Sequence, residues 1–461
     1  MVTTPATVPH PVAPRRWGEQ TQRAIVNFPV SGDQIPAAMI QALAMIKAES
    51  AAVNSMLGVI PAAMGVAIQR AANEIVAGEM ADQFPVDVFQ TGSGTSTNMN
   101  VNEVIAHRAA ELLGVPVHPN DHVNASQSSN DTFPAATRIA AAVQLTATLL
   151  PALDALRTSL LDLSGRHLDT VKMGRTHLMD AVPMTFGQEA AGWARSIELA
   201  TERITSVLPR LTELPIGGTA VGTGLNAPDG FGAQMAQRLS TRTGLAFTEA
   251  RNHFEAQSSQ DVLVEAGALL KVVALSMYKI AGDLRLLGSG PNGGLAEIRL
   301  PELQAGSSIM PGKVNPVIPE MVQQVAAQVV GNDATITFAA TMSTLQLNTA
   351  MPIAARSIMS SIHLLANAAT LLDTRCVRGI EVDAARMRHN AERSPAIVTA
   401  LAPRIGYDAA AKLVHQADEQ GVSLAELIET ADADAAPGSL DDMLLAMTRP
   451  HERAEPPAAG P

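Results

Sequence analysis

Two serines, a lysine and an asparagine stand within nine residues of one another in Gly306-Ser307-Ser308-Ile309-Met310-Pro311-Gly312-Lys313-Val314-Asn315-Pro316. Hydroxyls, a cation and a carboxamide in so short a run are the donors that a small anionic substrate needs. Two glycines and two prolines punctuate the run, and this disfavours regular structure, because Gly admits positive φ and Pro lacks an N–H. A polar loop then feeds an apolar helical run starting near Val317, the kind of place where binding and catalytic groups sit. Two plainer readings compete. A phosphate-binding loop fails, because five residues separate Gly306 from Gly312 where that motif needs four, and Val314 replaces its Ser or Thr. A flexible connector also has this composition, and the stretch taken alone leaves that reading open.

Three further polar runs interrupt an aliphatic chain. They are Ser93-Gly94-Thr95-Ser96-Thr97-Asn98-Met99-Asn100, the run from His118 to Asp131, and Gly174-Arg175-Thr176-His177-Leu178-Met179-Asp180. Each alone reads as a loop with satisfied polar groups. Together, in order and spacing, the four runs resemble those of the class II fumarases of the fumarase/aspartase superfamily. Its signature loop, Gly-Ser-Ser-x-Met-Pro-x-Lys-x-Asn, is matched at every fixed position. The resemblance extends roughly from Gln20 to Tyr407 and takes in Gln188-Glu189, Gly217 to Pro228 and Gly288 to Leu303.

The resemblance implies an enzyme that adds or removes H–X across a dicarboxylate, with fumarate as the unsaturated partner. Elimination takes a proton from carbon beside a carboxylate, so the site must stabilise a doubly negative aci-carboxylate with preorganised donors. By resemblance, Ser307 is the base at C3, its pKa lowered by Lys313 and loop N–H groups. Lys313 and Asn315 clamp a carboxylate, with Ser308 and Val314 in the same loop. Thr176 and His177 serve the other end, where His177 handles the water or leaving hydroxyl and Glu320 orients it. Ser93, Gly94, Thr95, Ser128, Ser129 and Asn130 form hydroxyl-rich walls. His118, Pro119, Asn120 and Asp121 resemble a second, non-catalytic anion site, although a hydrogen-bonded turn around Pro119 is as good a structural reading. Family sites assemble from three subunits. No cofactor is implied. His118, Asp121 and His122 lack partners elsewhere in the sequence to complete a metal site, so no metal is assigned. The remaining histidines, such as His107, His253 and His363, fall in helical runs and read as surface or core residues.

Subfamily signals are mixed. Thr91-Gly92-Ser93-Gly94-Thr95, Ser128-Ser129-Asn130-Asp131 and Gly312 side with fumarase. Leu345-Gln346-Leu347-Asn348, Val317-Ile318-Pro319-Glu320 and Ala305 lean towards aspartase. The residues nearest the leaving group favour water, so fumarate hydratase activity is the expectation. Aspartate ammonia-lyase is the alternative, and a catalytically silent structural relative is a more distant one. The charged segment that usually precedes the family's Gly-x-Gln-Thr stretch is missing before Gly18-Glu19-Gln20-Thr21.

Positioning these loops falls to the rest of the 461 residues, a length that predicts two or three domains. Aromatics are only 3% of the chain against 47% hydrophobic residues, so Ala, Leu, Val and Met must pack it, which favours closely packed long helices. The expected fold is mainly α. Helices are read over 37–81, 101–113, 137–166, 187–214, 257–287, 317–345, 352–376, 408–419 and 423–430. The domains are an N-terminal one over 1–136, a central long-helix bundle over 137–394 forming the core of a homotetramer, and a small C-terminal one over 395–461. A net charge of −12 argues against nucleic acid and anionic membranes as partners. The single cysteine, Cys376, fits a reducing, cytoplasmic setting and cannot ligate an iron–sulfur cluster. No uninterrupted apolar run reaches membrane-spanning length. Residues 1–16 read as a Pro-rich tail without a targeting pattern.

Overall fold

The computed structural model describes residues 14–394, 397–398, 406–422, 427, 444–445 and 447–448. The Pro-rich tails, apart from residues 14–16, and the helix expected at 423–430, apart from Leu427, lie outside the described residues. The mainly α expectation holds: long helices carry the chain, and the strands form four two-stranded sheets among the described residues.

By internal contacts the chain forms two compact units, each discontinuous in sequence. One comprises 1–150, 202–274 and 327–366; the other comprises 151–201, 275–326 and 367–461. The consecutive division at 136/137 and 394/395 read from the sequence does not follow these lines.

The first unit is built round Ala37–Met56, in which 14 of 20 residues are buried. A helix apolar on every side belongs in the middle of a core. The helices Ala62–Val76, Thr95–Leu113, Ser129–Gln144 and Phe231–Thr243 pack round it. Two helices stand where one is expected over 37–81, because Gly58 (φ +73°) and Pro61 break the run. Thr95–Leu113 starts six residues earlier than its apolar periodicity suggests, taking in all but the first two residues of the 93–100 polar run. Gly94, in the left-handed region at φ +74°, makes that start possible, and a Cβ there would lie 2.2 Å from the Phe133 ring.

Ser129–Gln144 also begins inside a polar run, capped by Ser128. It continues through a π turn at Leu145–Leu149 into Leu150–Arg166. By length and composition this stretch could cross a membrane, its most apolar 18 residues having a mean hydropathy of 1.6. The sequence reading finds no such span because no run of about 18 apolar residues is uninterrupted here; Gln144, Thr146, Thr148 and Asp154 break it. Half of its apolar window is buried within the protein, and a core helix passes the same test.

In the second unit the sequence read as loop at 174–180 is a β-hairpin, Val171–Thr176 paired antiparallel with Met179–Thr185. The helix Ala384–Glu392 packs on its first strand. Trp193 is buried edge-on to Phe186, with centroids 5.9 Å apart, and donates its indole N–H to Asp283 at 2.8 Å. Three long helices are shorter than their periodicity suggests. Phe186–Leu211 stops before a strand at Glu213–Leu214, and Ser259-Gln260 separates His253–Ser258 from Asp261–Leu287. Val317–Ala340 gives way to a hairpin at Ser343–Thr344 and Leu347–Asn348. Met351–Arg375 and Tyr407–Gln420 lie where periodicity places them.

Candidate active site

In the second unit the signature loop is closed at its neck. Asn315 donates from Nδ2 to the Gly306 carbonyl at 2.6 Å, and a Cβ on Gly306 would fall 1.9 Å from the Lys313 carbonyl oxygen. The residues between these ends bulge outward as a compact loop. Within it the Ser307 hydroxyl oxygen accepts two backbone N–H groups, from Ile309 at 3.2 Å and Met310 at 3.1 Å. Donors aimed at an oxygen favour its ionised form, so this turn supplies the loop N–H groups expected to ease ionisation of the Ser307 hydroxyl. Ser308, Lys313 and Val314 are exposed, and the Lys313 ammonium makes no hydrogen bond or ion pair with a described residue. Asn315 has one N–H fixed on Gly306 and one still to offer.

His177 and Leu178 form the two-residue turn of the hairpin, at φ +56° and +63°. Two left-handed central residues match the twist of a tight hairpin, but Asn-Gly normally takes these places. A histidine and a leucine held there are strained, and strain of this kind clusters at functional sites. Thr176 and His177 are exposed, and the His177 ring makes no hydrogen bond or ion pair with a described residue. Glu320, in the first turn of Val317–Ala340, lies 3.9 Å from Arg285. The His177–Glu320 pairing that the resemblance implies is therefore not formed within one chain.

The first unit brings together the remaining wall residues. Ser93 and Thr95 share a hydrogen bond of 2.7 Å at the start of Thr95–Leu113. Asn98, one turn on, donates to the Ser129 hydroxyl at 3.2 Å. Ser128 caps its helix through a reciprocal box: Asn130 N–H donates to its hydroxyl at 3.2 Å, and its own N–H donates to Asp131 at 2.9 Å. Asn130 donates its amide to the Ala220 carbonyl at 2.8 Å. Gly94 and these hydroxyls thus collect at two neighbouring helix N-termini, whose free N–H groups and dipoles suit an anion.

His118 to Asp121 form a hydrogen-bonded turn around Pro119. The His118 ring accepts the Asp121 N–H at 3.0 Å and also faces the Asp121 carboxylate at 3.1 Å. His122 in turn accepts the His118 N–H at 2.9 Å. Asn120 lies within the turn, and both His118 and Asp121 are largely exposed.

Comparison with known proteins now bears on this arrangement. A lyase family model matches residues 10–331, and a model of the fumarase C C-terminus matches residues 397–434. A class II fumarate hydratase from Mycobacterium tuberculosis is 54% identical over 405 residues, covering 87% of this chain and 85% of its own. One from Corynebacterium glutamicum is 51% identical over 413 residues, covering 89% and 87%. The solved class II fumarase of Schistosoma mansoni superposes with a TM-score of 0.90 at 37% identity, covering 95% of this chain and 97% of its own. The chain belongs to the class II fumarase family.

Family membership settles the mixed subfamily signals on the fumarase side. The aspartase-like run at 345–348 is a tight hairpin with Leu345 at φ +54° and almost fully exposed. Its sequence therefore reports a local turn.

Several groups that support this fumarase framework were given no role from sequence. Asp131 is fully buried and gathers N–H donors from Ser128, Gly217 and Thr219, tying the hydroxyl-rich loop to the glycine-rich turn at 217–219. Burial pushes its carboxyl up to about 6, against the pull of these donors. Lys47 is equally buried and donates to Asn124 at 2.8 Å and Gln127 at 3.0 Å. Burial pushes its ammonium down to about 7, with Asp131 opposing. The carboxamide oxygen of Asn124 also accepts from Asn98, which bonds Ser129, so Lys47 sits beneath the hydroxyl wall. A lone lysine in the apolar run of Ala37–Met56 was the available signal.

Proposed function

We propose that this chain is a fumarate hydratase that interconverts fumarate and L-malate by anti addition and elimination of water. The observation that carries the reading is the pair of N–H groups on the Ser307 oxygen, seen in a family member about half identical to named fumarate hydratases over most of its length.

In this reading Ser307 takes the C3 proton, and its alkoxide is stabilised beforehand by the Ile309 and Met310 N–H groups. Lys313 and the free N–H of Asn315 bind the carboxylate whose charge grows as the aci-carboxylate forms. Thr176 and His177 attend the hydroxyl end, with His177 exchanging a proton with the departing or entering water. Ser93, Thr95, Ser128, Ser129 and Asn130 hold the dicarboxylate at the helix N-termini. Glu320 orients His177 across a subunit boundary, consistent with the absence of that pair within one chain. His118, Asn120 and Asp121 take a second anion on the surface. The protein works as a cytoplasmic homotetramer without nucleic-acid or membrane partners, a view supported by its charge of −12 and single cysteine.

The test is absorbance in the fumarate band with purified enzyme offered L-malate and then L-aspartate. A rise with malate alone is expected. A rise with aspartate alone, with ammonia released, would overturn the assignment.

A further inference from the structure

The strand that ends at Thr176, just before His177, carries two cations, Lys172 and Arg175, and both reach the same buried carboxylate. Glu297 is completely buried. Arg175 grips it through two nitrogens at 2.6 and 3.1 Å, Asn390 donates at 3.0 Å, and Lys172 lies 3.6 Å away while bonding Glu189 at 2.6 Å. In a regular strand, residues three apart point to opposite faces. The register of the hairpin shifts between Met173 and Arg175, and this irregularity brings Arg175 round to the face of Lys172. Gly174 occupies the shift, where a Cβ would sit 2.8 Å from the Val182 carbonyl oxygen. Two and three residues on stand Thr176 and the strained His177.

The backbone of Glu297 is held as firmly as its side chain. Its N–H bonds the Leu287 carbonyl at 2.9 Å, and its carbonyl accepts the Asp383 N–H at 3.0 Å. It is therefore a fixed post, and Arg175 is the rigid two-pronged link from the post to the turn.

We infer that Glu297, acting through Arg175, is a positioning residue that sets the location of the Thr176–His177 turn. This rests on the reading that His177 takes part in the reaction. A buried ion pair is poor evidence for stability in its own right, which leaves room for a role of this kind. A displacement of about 1 Å at a catalytic group costs on the order of 10²-fold in rate.

The experiment compares wild type, Glu297→Gln, His177→Asn and the double variant with L-malate, together with amide exchange over 171–185. Expected are a fall in kcat of roughly 10²-fold for Glu297→Gln with KM moving by less than about threefold, and a double variant no slower than His177→Asn alone. Exchange over 171–185 should quicken while 93–131 stays unchanged. If the two losses multiply, or if exchange over 171–185 does not change, the positioning role is overturned. His177→Asn measured alone tests the underlying reading. Should it keep wild-type kcat, that reading fails while the exchange data still judge the post. If Glu297→Gln does not assemble, Arg175→Lys replaces it, keeping the charge and losing the second prong, with the same outcomes deciding.

Discussion

A serine hydroxyl ionises reluctantly, and the two N–H groups on Ser307 are the local means of stabilising its alkoxide. Ser307→Ala deletes one oxygen from an exposed loop and leaves the neck between Gly306 and Asn315 intact. Malate turnover should fall by roughly 10²–10⁴-fold with the sedimentation coefficient unchanged. Turnover within a few-fold of wild type would remove Ser307 from its role. Lys47 offers a residue-scale test of the opposite kind, in stability. Its folded ammonium loses its proton near 7, against 10.5 for a free one. Between those values the native state binds fewer protons than the unfolded chain, so this group's contribution rises with pH across that window and is lost as pH falls through about 7. The stability of wild type relative to Lys47→Met should rise from pH 7 to 10 in melting experiments, and a pH-independent difference would contradict the lowered proton affinity of Lys47.

At the scale of elements, the neck of the signature loop decides whether Ser307, Lys313 and Asn315 share one surface. Gly306→Ala would drive a methyl into the Lys313 carbonyl and break the Asn315 hydrogen bond. We expect kcat/KM to fall by at least about tenfold, with melting unchanged because the loop is exposed; unaltered kinetics would show that the neck is not needed. This loop was legible in the sequence because Gly, Pro and a fixed order of polar groups are local signals. The long helices were legible too, through apolar spacing, whereas their ends were not. Thr95–Leu113 begins within small polar residues because Gly94 turns the chain and Gln90 accepts the Thr97 N–H at 3.0 Å, and neither effect has an apolar period. The hairpin at 171–185 was hidden because its turn residues, His177 and Leu178, are not those that hairpins normally use. Asp131, Lys47 and Glu297 were hidden for a different reason: the side-chain partners of Lys47 and Glu297 lie 77 to 125 positions away, and Asp131 is tied mainly to backbone N–H groups, two of them 86 and 88 positions away, and such separations leave no mark on neighbouring letters. A buried charge shows itself only once the fold has removed its water.

Among the described residues, two long helices expose large apolar side chains. On Asp261–Leu287, Leu275, Tyr278 and Leu286 follow one helical face and stand 51%, 47% and 41% exposed; on Val317–Ala340, Val330 and Phe338 are 40% and 67% exposed. Helical stripes of this kind mark surfaces that another chain covers. The His177 ring and Lys313 ammonium have no partner among the described residues, and in the proposed reading each site is completed by other subunits. Both features are met by a homotetramer in which Ser307 and His177 of one site come from different chains. Sedimentation should therefore find a tetramer, and a fully active monomer would refute it. The decisive form of the test mixes two inactive variants. Ser307→Ala and His177→Asn chains, co-expressed with different tags and purified through both, give tetramers in which some sites draw both groups from unaltered partners. With random mixing roughly a quarter of sites are restored, since each group is intact in about half of the chains. Activity well above either parent would establish shared sites. Dually tagged tetramers as inactive as their parents would place Ser307 and His177 of each site on the same chain.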